Sequence, residues 1–227
     1  MAEEKTLISS ICVDTLTGIQ SNIYMHSLKK AGHDDWMDFG KNIYIFNSEL
    51  QALGFELVMI LGEPGTGKSS GMMTLEHNTN IWYNADDKNP VWTGGTEEYG
   101  KKTSPRSPYH VVPKTYQEIL DHIKGGISKG MFAKEKVAFM TGHTEIYKSG
   151  YENKERLKTL GKVATKMQLE GKMETVLYSR VVMENDVPAF YFETQNNGTN
   201  TARSHMGMFP GKIPNDYKLI RDKILNN

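Results

Sequence analysis

One cysteine, no net charge and no long apolar run mark this 227-residue sequence, and each shortage narrows what the chain can be. Cys12 alone cannot close an internal disulfide, and Ser10-Ile11-Cys12-Val13 reads as a buried strand, so a reducing, cytoplasmic setting is expected. Lysine plus arginine and aspartate plus glutamate both number 27, so no global basic field draws the chain onto nucleic acid. Any such contact must be local or assembled between subunits. No apolar stretch approaches the roughly 20 residues that cross a bilayer, and Met1-Ala2-Glu3-Glu4-Lys5 lacks the basic-then-apolar order of a secretory signal. No membrane partner is expected. The 13 methionines fall mostly in apolar runs such as Leu57-Val58-Met59-Ile60, which suits core filling. No internal repeat or low-complexity tail is visible, and the length suits one α/β domain over residues 1–227.

What is present is a set of buried-strand signals. Leu7 to Val13, Phe55 to Leu61, Asn80 to Asn84 and Lys136 to Thr141 are short, apolar and β-branched without strict alternation, as strands of a parallel sheet covered on both faces are. Asp35 to Leu53 carries Trp36, Phe39, Ile43, Phe46, Leu50 and Leu53 at spacings of three and four, which predicts a helix with one buried stripe. Thr115 to Ile123 predicts another helix, and Thr93 to Pro113 predicts an exposed irregular loop. In the last third, Glu174 to Met183 and Ala189 to Thr194 around Asn185-Asp186 predict a β-hairpin. Asn196 to Gly211 is turn-rich, and Pro214-Asn215-Asp216 predicts the cap of a final helix through Leu225. The hairpin and helix of 174–227 are expected to pack on the α/β core.

Three of the four strands end in residues that can do chemistry, and open parallel sheets place ligands outside the carboxyl ends of their strands. After the second strand, Gly62-Glu63-Pro64-Gly65-Thr66-Gly67-Lys68-Ser69 matches G-x-x-x-x-G-K-[ST] in full, with Ser70 next. In that pattern the glycines let backbone N–H groups turn around phosphate oxygens, a following helix offers its positive end, the lysine reaches the β- and γ-phosphates and the serine ligates Mg²⁺. Gly71 to Leu75 is expected to continue that helix. The ligand class is a nucleoside triphosphate, ATP first, with Mg²⁺. Asp14, closing the first strand, is the expected Walker B carboxylate that supports the Mg²⁺ from behind its direct ligands, against a turn-capping role. His143, with Glu145 beside it, follows the fourth strand, where it can sense the γ-phosphate or orient water. Asp86 and Asp87 follow the third, where the alternatives are holding the attacking water and a solvated turn with Lys88.

Taken together these residues resemble the phage-encoded RecA-like P-loop ATPases linked to single-strand annealing and recombination. The likeness rests on the loop, on Val13-Asp14, Asn84-Ala85-Asp86-Asp87-Lys88 and Gly142-His143-Thr144-Glu145. It extends to Leu157-Lys158-Thr159-Leu160-Gly161-Lys162, Phe192-Glu193-Thr194-Gln195-Asn196, Met206-Gly207-Met208-Phe209 and Ile213-Pro214-Asn215-Asp216. It implies a RecA-like, mostly parallel sheet flanked by helices, ATP hydrolysis that is slow without a partner, and a host bacterial cytoplasm. It also implies single-stranded DNA or a DNA-bound recombination protein as partner, in a homo-oligomer. Arg203 is weighed as an arginine finger against a plain surface charge. The other functional readings are a nucleotide-dependent structural module with little turnover and a small-molecule kinase.

One departure from the family is large. There the loop-bearing strand opens the chain, whereas here Asp14 comes first. Met131 to Gly142 looks as though it should run into Glu63, and Phe55 to Gly62 as though it should run into His143. The resemblance implies that blocks of an ancestral chain have been reordered, by nature or by design. Such an exchange is tolerable if Phe55 to Leu61 and Lys136 to Thr141 are parallel neighbours with Leu7 to Val13 flanking them, so that Asp14, Lys68 and His143 open at one edge.

Overall fold

The structure, a computed structural model, describes residues 6–16, 18–19, 35–89, 109–159 and 169–227, the side chains of 35–41 excepted. The expected roles of Trp36 and Phe39, the part of the Thr93 to Pro113 loop before Tyr109, and Leu160 to Lys162 therefore lie outside the described residues. The strands are β1 (Ile8–Asp14), β2 (Phe55–Gly62), β3 (Asn80–Asn84), β4 (His110–Val111), β5 (Phe132–Ser149), β6 (Glu152–Leu157), β7 (Thr175–Glu184), β8 (Val187–Glu193) and β9 (Lys212–Pro214). The helices are α1 (Asp35–Ala52), α2 (Tyr116–Ser128) and α3 (Tyr217–Leu225).

One mixed sheet runs in the order β4-β3-β1-β5-β2-β7-β8-β9. The pairings from β4 through β7 are all parallel, and β8 and β9 continue antiparallel. The expected side-by-side strands are present. β2 pairs with β5 from Phe55↔Lys136 to Gly62↔His143, and β1 lies on the other side of β5.

Alternate residues of these strands feed two cores, which explains why their sequences do not alternate in polarity. Ile11, Val13, Met59, Leu61, Tyr83 and Met140 face one way and pack with Ile43, Phe46 and Leu50 of α1 and Ile119 and Ile123 of α2. Cys12, Val58, Ile60, Trp82, Phe139 and Leu177 face the other way and meet Phe192, Phe209, Ile213, Tyr217 and Ile220. Thr115 caps α2 by accepting from the Glu118 amide, and Asp216 caps α3 by accepting from the Leu219 amide. At the β7–β8 turn both Asn185 and Asp186 have positive φ, 51° and 63°, the handedness that a two-residue hairpin turn needs.

Three expectations change. β5 does not stop at Thr141; it runs on to Ser149, and its outer half pairs antiparallel with β6, from Thr144↔Leu157 to Ser149↔Glu152. That extension is largely solvent-facing and polar, so no apolar signal announced it. Residues 174–227 do not simply pack on the core, because Thr175 to Tyr178 of β7 extend the parallel sheet directly beside β2. The helix expected after Lys68 is a five-residue 3₁₀ turn, Ser70–Thr74, and Leu75 is already extended. Ser70 Oγ donates to Gly67 O at 2.9 Å and Thr74 Oγ1 to Gly71 O at 2.9 Å. Such side-chain bonds to local carbonyls compete with an α-helical ladder. No described helix is long and apolar enough to cross a membrane.

The ring of Phe139 is fully buried and lies 4.6 Å from that of Tyr217. Phe139→Ala should therefore lower the free energy of unfolding by about 3–5 kcal/mol. Tyr151→Ala, at the exposed tip between β5 and β6, should stay within about 0.5 kcal/mol of wild type. Urea titration of both variants checks this.

Candidate functional site

The parallel register brings the carboxyl ends of β1, β2 and β3 together with the middle of β5. There a cavity of about 380 Å³ is lined by Asp14, Lys68, Ser69, Ser70, Asp86 and His143, and also by Pro64, Gly65 and Gly67 of the glycine-rich loop. Asp14, Lys68 and His143 thus share one edge. Gly62 closes β2 behind the loop, Thr66 is buried in the loop's own wall, and the Glu63 side chain is exposed.

Lys68 is the chemical centre. Its side chain is 6 % exposed, and Nζ donates to Gly62 O at 2.9 Å and Glu63 O at 2.7 Å. Burial lowers its pKa from 10.5 to about 8, against the opposing pull of Asp14 and Glu63. The Thr66 hydroxyl also donates to Glu63 O, at 2.9 Å, which tightens the first turn of the loop. Farther along, side chains from other elements hold the loop. Ser179 Oγ donates to Thr66 O at 2.6 Å, Asn215 Nδ2 to Gly67 O at 2.7 Å and Tyr217 OH to Lys68 O at 2.6 Å. Ser69 heads the 3₁₀ turn without a side-chain cap bond. With only five residues in that turn, the dipole of a long helix is not available here; backbone amides and Lys68 supply the positive potential.

Asp14 is 8 % exposed, and its Oδ1 accepts from Thr141 Oγ1 at 2.7 Å across the β1–β5 pair. It is held as a strand-end carboxylate facing the cavity. Asp86 lines the same cavity, but its Oδ2 is engaged by Lys88 Nζ at 2.9 Å and Thr15 Oγ1 at 3.2 Å. The ion pair with Lys88 and a place at the cavity therefore coexist. Asp87 is exposed at φ 53° and does not line the cavity. His143 presents an imidazole whose pKa is lowered, first by burial and then by Lys68, so it is neutral near pH 7. Its Nδ1 is buried with no partner among the described residues.

Two other sequence candidates fall away from the cavity. Glu145 lies on the β5–β6 ribbon and pairs with Arg156 at 2.9 Å. Arg203 Nε donates to Met173 O at 2.8 Å and its Nη2 to the carbonyls of Glu170 and Met173. It is neither a free surface charge nor a group aimed at this cavity. Thr141, Ser179, Phe190 and Tyr217 went unnoticed in the sequence. They sit on strands or a helix far away in the chain, and only Asn215, beside Tyr217, belonged to a noted motif.

Among the described residues no group of three or more His, Cys, Asp or Glu side chains is arranged to hold a metal ion. An Mg²⁺ bound largely by phosphate and water requires no such group. No family model matches the chain, and no curated protein or solved structure matches it either.

The depressed pKa of Lys68 makes a stability prediction. The unfolded chain holds this proton more tightly, so the buried cation opposes folding in full below pH 8, and the penalty fades as pH rises to 10.5. Lys68→Met removes this penalty, up to about 3 kcal/mol near pH 7, together with the two Nζ hydrogen bonds to the loop carbonyls, so the pH dependence and not the net difference is diagnostic. Wild type, without added ligand, should gain stability relative to the variant between pH 7 and pH 10. Urea unfolding at both pH values checks it; a difference between the two chains that does not change with pH would mean that the cation is not desolvated.

Proposed function

We propose that the chain is a RecA-like P-loop ATPase that binds a nucleoside triphosphate with Mg²⁺, ATP in the first place, and hydrolyses it. The observation that carries this reading is the convergence on one cavity of a buried lysine, loop amides with no acceptor among the described residues, a strand-end carboxylate and a neutral histidine. Each part alone has a bland explanation. A cation desolvated at the mouth of an amide-rich loop is stabilised by an anion, and the donor set fits phosphate oxygens.

In this reading the loop amides and Lys68 hold the phosphates. The Ser69 hydroxyl and Asp14 are the groups that would hold Mg²⁺, directly or through water, with Thr141 fixing the carboxylate. When bound there, the metal would supply positive charge against that developing on the phosphate oxygens. His143 lines the cavity with a neutral imidazole, which suits a hydrogen bond to a terminal phosphate oxygen or to water.

The resemblance adds a role in phage recombination or single-strand annealing, with single-stranded DNA or a DNA-bound protein as partner and a homo-oligomer as the working form. A second reading, a nucleotide-dependent module with little turnover, draws support from Asp86, whose engagement by Lys88 and Thr15 leaves it poorly placed as a base. Both readings share the same bound ligand. ATP turnover with and without single-stranded DNA separates them.

Lys68→Ala should remove at least about 2 kcal/mol of ATP binding, roughly thirtyfold in Kd, in a chain that stays folded. Calorimetric titration measures it, and undiminished affinity would defeat the assignment. Asp14→Asn should lower Mg²⁺-dependent hydrolysis by roughly ten- to a hundredfold while changing nucleotide affinity much less. Unchanged turnover would return Asp14 to a capping role.

A further inference from the structure

Of the motifs singled out in the sequence, Ile213-Pro214-Asn215-Asp216 takes no part in the chemistry above, yet it ends on the loop that does. Three consecutive loop carbonyls, those of Thr66, Gly67 and Lys68, accept hydrogen bonds from Ser179, Asn215 and Tyr217 respectively, at 2.6, 2.7 and 2.6 Å. None of these three side chains lines the cavity, so they grip the loop from behind.

A trans peptide is planar, with its C=O and N–H pointing in opposite directions. The only cis bond among the described residues is Asp14–Thr15, so the three loop peptides are trans. Pinning each carbonyl away from the cavity therefore turns the N–H groups of Gly67, Lys68 and Ser69 toward it. Among the described residues, no backbone carbonyl accepts from any of the three. Three successive inward amides form a concave anion site.

Packing shows that the fit is close. A Cβ on Gly67 would stand 2.5 Å from Asn215 Nδ2, and one on Gly71 would stand 2.2 Å from the Tyr217 ring. Both positions must be glycine for the segment to reach the loop backbone. Tyr217 is itself held by ring contacts with Phe139 at 4.6 Å and Phe192 at 5.9 Å, so its hydroxyl is presented by the core.

We infer that Asn215 and Tyr217, with Ser179, are positioning residues that orient the amides of Gly67, Lys68 and Ser69 toward a polyphosphate. The inference rests on the triphosphate-binding reading. It assigns to the start of α3 the task of keeping the phosphate loop in its binding shape.

The test uses the full chain with three variants, Tyr217→Phe, Asn215→Ala and Asp216→Ala, titrated with ATP and with inorganic tripolyphosphate by calorimetry, and melted without ligand. Tyr217→Phe keeps the ring and removes one donor; Asp216→Ala removes the α3 cap but no loop contact. Tyr217→Phe and Asn215→Ala should each lose about five- to tenfold in affinity, equally for ATP and tripolyphosphate. Asp216→Ala should lower the melting temperature, as loss of a helix cap does, yet keep wild-type affinity for both ligands. Wild-type affinity in Tyr217→Phe and Asn215→Ala, or an equal loss in Asp216→Ala, would overturn the positioning role while the binding reading stands. A wild-type chain that binds neither ligand would overturn both.

Discussion

The parallel pairing of β2 with β5, in a register that sets Gly62 opposite His143, is the constraint on which the cavity depends. A slip of one residue would send every side chain of one strand to the other face and exchange the two cores. It would also take His143 out of line with the glycine-rich loop. Because β1 adds to the other side of β5 in the same direction, Asp14 arrives at the same level, close enough for Thr141 to donate to it.

Charge burial then sets the character of the site. Lys68 loses water on folding and is partly compensated by two loop carbonyls and by the field of Asp14. An anion with several oxygens would restore what the water supplied, and would do so in a place where amide dipoles already point the same way. The loop itself is stiffened from outside its own sequence. Ser179 comes from β7, Asn215 from just before α3 and Tyr217 from its first residue, and each bonds a backbone carbonyl of the loop. Preorganisation of this kind lowers the entropy lost when a ligand binds.

Much of the framework was legible in the sequence. The runs Leu57-Val58-Met59-Ile60 and Ile11-Cys12-Val13 announce doubly covered strands because both faces need apolar residues, and Asn185-Asp186 announces its turn because few residues tolerate positive φ. The loop announced itself by glycine and lysine spacing. The outer half of β5 did not, since a ribbon exposed on both sides has no reason to be apolar. The 3₁₀ turn after Lys68 was hidden because Ser70 and Thr74 act through local hydrogen bonds that a helical pattern does not encode. Of the two readings of Asp86, the pairing with Lys88 is present in the structure, and the carboxylate also stands at the cavity rim. Tyr217 was invisible as part of the site because its partner, Lys68 O, is a backbone atom far away in the chain.

The central claim is that Gly67, Lys68 and Ser69 present their amides to a phosphate chain. Amide proton and nitrogen resonances of a uniformly labelled chain, followed during titration with ATP and Mg²⁺, address it atom by atom. Shifts that are largest at those three amides, saturate together with one Kd, and are reproduced by tripolyphosphate are the predicted result. Saturable shifts confined to other parts of the sheet, or no saturation at millimolar ATP, would contradict it.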